Sequence, residues 1–203
     1  MLPRIIPPAI DTRTPLAQAL ISLLRGVAAE LHGQPGGAIK IIIFGGCAVH
    51  LYTGHRVSTD IDGEIFETIN LPGGKAAALL AEFPQEFLDV DTGRTLELNW
   101  DLGFTTTLGP LHEDYLERGI RMSEFPDESP IHVYVAAPVD VAISKLGRAQ
   151  EHDLNDIAAM LRKGLIDVDE LRRLADEAID CYVGNQQAPA TVLKHLLDDY
   201  LGA

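Results

Sequence analysis

A short β-branched run, Ile39 to Phe44, stops abruptly at Gly45-Gly46, and Asp60-Ile61-Asp62 follows a little further on. No other stretch restricts the fold of this chain as much. The isoleucine-rich run is the signature of a buried strand. The glycine pair permits a tight turn and a close backbone approach, and it opens a helix expected over about Cys47 to Tyr52. Thr59 to Phe66 reads as the next strand. Its Asp60 and Asp62 stand at i and i+2, on one face and roughly 6.5–7 Å apart along the chain. The order is therefore strand, glycine turn, helix, acidic strand. Backbone N–H groups at such a turn can receive phosphate oxygens, and two acids so spaced can hold Mg2+. Together they point at chemistry on a nucleoside triphosphate.

Two Mg2+ ions about 3.5–4 Å apart can clamp the attacking and leaving oxygens of an in-line displacement. Such a site usually takes a third carboxylate. Glu97, between Leu96 and Leu98 on an alternating strand expected over Thr95 to Asp101, has that setting. An exposed polar position on the same strand is its plainer reading. Glu64 and Asp101 are weaker competitors. Arg56 could contact a triphosphate or orient the acidic strand, and Ser58 and Thr59 could hydrogen-bond the acids. A second constellation is Lys145, on a helix that follows Pro138, with Asp153 and Asp156 opening the next helix. The lysine would neutralise phosphate charge, and Asp153 would fix it or move a proton. Taken alone, these residues read as an exposed helical lysine and a capping or first-turn acid.

Other chemistries find no support. There is no GxxxxGK[ST] loop and no GxGxxG after the strand, and Gly73-Gly74-Lys75 reads as a helix start. The histidines lack metal-ligand spacing such as HExxH, and no Ser/His/Asp or Cys/His set stands out. His50 and the others are expected to pack or to lie on the surface.

The 203 residues, 46% of them hydrophobic, suffice for one sizeable core. Residues 1–13 are proline-rich and expected to be extended. Thr14-Pro15 caps a helix running to His32, and Leu71 to Gly74 forms a turn before a helix from Lys75 to Phe83. Asp91 to Arg94 turns into the Glu97 strand. A helix is expected from Pro110 to Glu117, with strands at 120–122 and 131–135. Helices follow at about 138–149, 153–163, 168–182 and 189–201. The expected organisation is an α+β core with its N-terminal helix over 1–137 and a helical C-terminal part over 138–203. The net charge of −14 disfavours a broad nucleic-acid footprint, although a local basic patch could still hold RNA. Cys47 and Cys181 are the only cysteines and read as free thiols in a reducing compartment. No signal-peptide core and no membrane-length apolar run is visible, so a cytoplasmic protein without a membrane partner is expected.

Taken in order, Gly45-Gly46, Asp60-Ile61-Asp62 and Leu96-Glu97-Leu98 resemble the DNA polymerase beta-like nucleotidyltransferase superfamily. The segment from Gly45 through Tyr52, then Arg56 and Thr59 to Asp62, looks like its minimal bacterial branch of AbiEii- and MenT-type toxins. Pro138 to Ser144-Lys145-Leu146 and His152-Asp153-Leu154-Asn155-Asp156 are similar to that branch's later motifs. The resemblance covers about residues 38–163. It implies an α+β fold, a small mixed sheet with flanking helices and a C-terminal helical subdomain. It also implies transfer of a nucleoside monophosphate from an NTP to an acceptor hydroxyl. Asp60, Asp62 and Glu97 would hold two Mg2+ ions, and Gly45, Gly46, Arg56 and Lys145 would hold the nucleotide. Asp60, Asp62, Lys145 and Asp153 would be the catalytic set. The acceptor would be RNA, such as a tRNA end, in a toxin–antitoxin or phage-defence setting with an antitoxin protein as partner. The alternatives are transfer to a protein or a small molecule, and a non-catalytic nucleotide- or partner-binding protein. Three positions depart from the family pattern. Gly46 stands where many members have serine, Gly63 where an apolar residue is usual, and His152 where arginine is usual.

Overall fold

The computed structural model describes residues 5–69 and 75–202; the turn expected at Leu71 to Gly74 lies outside them. The chain divides into two compact units that are discontinuous in sequence. One is formed by Ile10–Phe104 and Gly119–Val135, the other by Thr105–Arg118 and the residues from Ala136 on, with the segment before Ile10.

The first unit carries both sheets. Helix α1 (Pro15–Glu30) begins where the sequence places its cap: the Thr14 hydroxyl accepts from the Ala17 N–H at 3.2 Å, and Pro15 occupies the first turn. Its buried face, including Leu16, Leu20, Leu23, Leu24 and Val27, has helical spacing, and each such side chain contributes about 1.5–3 kcal/mol on burial. The face packs on α3 (Lys75–Ala81) and on β4 (Gln85–Asp89).

Strand β1 (Ile39–Ile43) lies between β3 (Gly63–Glu67), antiparallel to it, and β7 (Ile131–Val135), parallel to it. The short β6 (Ile120–Arg121) completes the order β3-β1-β7-β6. The near-continuous apolar character of β1 follows from cover on both faces. The second sheet is β2 (Asp60–Ile61), β5 (Arg94–Trp100) and β4, with β2 parallel and β4 antiparallel to β5. The fold is thus α+β with small mixed sheets and flanking helices.

The acidic strand differs from the expectation. Thr59 to Phe66 is not one strand: it breaks at Asp62, and its halves enter different sheets. Gly63 marks the break. A β-carbon there would overlap the Trp100 indole and come within 3.2 Å of the Ile42 carbonyl, so only glycine lets the chain cross from one sheet to the other at this point. Strand β4, absent from the expected elements, is one arm of a hairpin. The turn is held by Asp89, whose carboxylate accepts from the Thr92 hydroxyl and, at 3.1 Å, from the Asp91 N–H.

The helical unit contains α5 (Pro138–Lys145), α6 (Glu151–Arg162), α7 (Val168–Cys181) and α8 (Gln187–Gly202). α5 packs on α6 and α7, and α8 on α6 and α7. The helix expected from Pro110 to Glu117 shrinks to α4 (Tyr115–Arg118) after a 3-10 turn at Thr106–Leu108. His112 diverts the chain: its Nδ1 takes the Asp114 N–H at 3.1 Å, and its Nε2 meets the Glu177 carboxylate of α7 at 2.8 Å. Among the described residues no helix is long and apolar enough to cross a membrane.

Candidate active site

The glycine turn and the acidic segment are fastened to each other. Helix α2 (Gly45–Thr53) starts without a side-chain cap. Gly45 has φ +58, in the left-handed region, and a β-carbon on it would overlap the Asp62 carboxylate. The Phe44 N–H donates to the Asp62 carbonyl at 2.8 Å, and the next residue, Gly63, pairs with Ile43. The Asp62 carboxylate therefore sits directly over the start of α2. Gly46 faces the loop that precedes β2: a β-carbon there would lie 2.7 Å from Ser58 Oγ and 3.7 Å from Arg56 Nε.

Asp60 is exposed and Asp62 half-buried, with the fully buried Ile61 between them as anchor. The Asp60 carbonyl takes hydrogen bonds from Ser58 Oγ at 3.0 Å and from Cys47 Sγ at 3.4 Å, while Thr59 Oγ1 donates to its carboxylate at 3.3 Å. Burial, reinforced by the neighbouring Asp62 and Asp60 carboxylates, pushes the Cys47 thiol up to about 12. Cys47 is consequently an inert thiol beside the acids and not a nucleophile.

On the neighbouring strand the register places Asn99 opposite Asp60. The Asn99 N–H donates to the Thr59 carbonyl at 2.8 Å, and the Asp101 N–H to the Ile61 carbonyl at 3.1 Å. Glu97 is exposed and lies one side-chain step beyond Asn99 on the same face, accepting from Asn99 Nδ2 at 3.0 Å. Asp101 accepts the Gly103 N–H at 2.8 Å. Glu64 falls in β3, opposite Ile42, and so in the other sheet. Among the described residues, no group of three or more histidines, cysteines or acids converges to hold a metal ion.

Sequence reasoning missed the support of this loop. His50 is buried, and its two ring nitrogens meet the Thr14 hydroxyl at 2.7 Å and the Arg56 carbonyl at 2.6 Å. A carbonyl can only accept, so Nδ1 carries the proton and Nε2 accepts from Thr14. This tautomer ties the cap of α1 to the Arg56 loop. Nothing in the spacing of His50 from Thr14 and Arg56 signals it.

Lys145 and Asp153 meet within the helical unit. Lys145 is 4% exposed, and its ammonium lies 3.0 Å from Asp153 and 2.9 Å from Asp156. Arg148, not foreseen from the sequence, grips the fully buried Asp153 carboxylate with Nε and Nη2, both at 2.8 Å. The Gln150 N–H adds a capping bond at the start of α6. Burial pushes Asp153 up, yet the hydrogen bonds from Arg148 and Lys145 together prevail and hold it well below the usual carboxylate range. A carboxylate so stabilised is a weak base at neutral pH.

A glycine turn bound to a pair of acids beside a small mixed sheet is a nucleotidyltransferase-like arrangement. Residues 20–200 match the family described as nucleotidyltransferase of unknown function, DUF6036, and the chain belongs to that family. The match supports nucleotidyl transfer in general and does not carry the AbiEii/MenT-type branch. No curated protein and no solved structure matches the chain.

Proposed function

We propose that this chain transfers a nucleoside monophosphate from a Mg2+-bound NTP to an acceptor hydroxyl. The observation that carries the reading is the seat of the Asp62 carboxylate over Gly45, in space that any other residue at 45 would fill. Hard oxygen donors at Asp60 and Asp62, both reaching solvent, suit Mg2+. Glu97 is the third acid proposed from the sequence; in the structure it accepts from Asn99 and does not converge with Asp60 and Asp62 among the described residues. Mg2+ bound at Asp60 and Asp62 would supply charge neutralisation to the phosphates and lower the pKa of an attacking hydroxyl.

The chain's own groups do the positioning. Gly45 and Gly46 give α2 a start with no cap from the Phe44 side chain, and Asp62 and Ser58 are seated over it; the triphosphate is proposed to lie against this rim. Arg56, beside Gly46, offers a guanidinium to phosphate oxygens. Attack of the acceptor oxygen on the α-phosphorus forms the new ester bond, breaks the bond to the leaving pyrophosphate and releases the hydroxyl proton to water. Lys145 and Asp153 enter this reading as a brace of the helical unit.

RNA in a toxin-like role, with a neutralising antitoxin protein, is one acceptor setting. The charge of −14 disfavours RNA and suits a cationic small molecule, and a protein side chain is a further alternative acceptor. The test incubates the protein with each labelled NTP, Mg2+ and total RNA, beside a D60A/D62A variant. Label in RNA from the intact protein alone establishes RNA as acceptor. NTP binding that depends on Asp60 and Asp62, with no label in RNA, directs the search to other acceptors. Absence of any NTP binding overturns the reading.

A further inference from the structure

We infer that Ser58 supplies the side-chain hydroxyl of the triphosphate site, from the loop into the space over Gly46; this rests on the nucleotidyl-transfer reading above. Position 46 itself can offer no hydroxyl, because glycine has none. It also has no room for one, since a β-carbon at 46 would lie 2.7 Å from Ser58 Oγ and 2.9 Å from Ser58 Cβ. The two positions thus compete for one space, and in this chain the loop fills it.

The neighbourhood makes that hydroxyl more than a filler. Ser58 is half-buried, with part of its surface at solvent. It lies between the glycine turn and the acidic segment, and it donates to the Asp60 carbonyl at 3.0 Å. That carbonyl also takes the Cys47 thiol bond at 3.4 Å, so it keeps a partner when Ser58 lets go. A hydroxyl has one proton and rotates freely about its C–O bond. Ser58 can therefore swing its proton from the Asp60 carbonyl to a phosphate oxygen without moving the backbone. His50 fixes the loop just upstream through the Arg56 carbonyl at 2.6 Å, so the hydroxyl is held in place before the nucleotide arrives.

The geometry permits a transplant. Removing the Ser58 side chain clears the space for a serine at 46, and the hydroxyl then returns from the other side of the same gap. The experiment measures Mg2+–NTP binding by calorimetry for each of the four NTPs, with thermal melts confirming the fold of every variant. Ser58→Ala is expected to weaken binding about tenfold, the equivalent of one charge-assisted hydrogen bond. Ser58→Thr is expected to bind within about threefold of the natural protein, and Gly46→Ser combined with Ser58→Gly to recover most of the loss. If Ser58→Ala binds like the natural protein, the role assigned to Ser58 is wrong while the nucleotide site stands. Weakening that neither Ser58→Thr nor the double variant repairs makes Ser58 a packing residue and also overturns the assignment. If the natural protein binds none of the four, the nucleotidyl-transfer reading falls and the assignment with it.

Discussion

Gly45 shows how a single missing side chain organises the candidate site. Its φ of +58 and the Asp62 carboxylate that occupies its β-carbon position are independent demands for glycine. Gly45→Ala should cost about 1–2 kcal/mol from the left-handed backbone alone, with a further loss from displacing Asp62. The expected outcome is a lower Tm together with loss of NTP binding, checked by melting and calorimetry; a variant with natural stability and affinity would contradict the seat described. Gly63 has a comparable local cause, since the Trp100 indole stands where its β-carbon would be. The Asp153 carboxylate is held by the Arg148 guanidinium.

Among the elements, two junctions bear most of the consequence. The first is the His50 link between α1 and the Arg56 loop. Burial holds the His50 pKa below its ordinary 6.5, against smaller upward pulls from the Arg56 carbonyl and Asp11, while His55 adds to the lowering. The unfolded chain therefore takes up this proton first as pH falls. The stability from His50 is fully present above about pH 6.5 and is lost as pH falls toward the folded pKa. Tm measured between pH 7 and 5 should fall more steeply for the natural protein than for His50→Gln, and equal slopes would refute the link. The second junction is α5 to α6. Lys145→Met would leave Asp153, which is 0% exposed, and Asp156 short of their shared cation. Removing one partner of such a buried set typically costs about 3–5 kcal/mol. Chemical denaturation should show that loss, and a change within about 1 kcal/mol would mean the network is not what holds these helices.

For the whole molecule, the charge of −14 and the nucleotide reading make a joint prediction. A ligand bound only by the folded chain stabilises it by about 2.7 kcal/mol at a concentration 100 times its dissociation constant. For a chain of this size that is a rise in Tm of roughly 5–10 °C. The correct NTP with Mg2+ should produce it, and EDTA or the D60A/D62A variant should abolish it. A rise of the same size in the double variant would place the nucleotide elsewhere on the protein.

Much of this was legible in one dimension. The Ile39–Ile43 strand, the cap at Thr14-Pro15, the glycine turn and the four C-terminal helices all follow from side-chain periodicity and turn chemistry, which are local properties. The α+β class and the pairing of Gly45-Gly46 with Asp60 and Asp62 as candidates were readable for the same reason. What local pattern could not determine depends on partners distant in sequence. The break of the acidic strand at Asp62 is set by Trp100, the short α4 by Glu177, and the His50 bridge by Thr14 and Arg56. Asn99, not Glu97, stands opposite Asp60 because register is decided by pairing between strands and not within one. The sequence by itself determined which residues are candidates for the chemistry. Tertiary structure decided which space each hydroxyl, carboxylate and cation occupies, because that space is bounded by atoms from other parts of the chain.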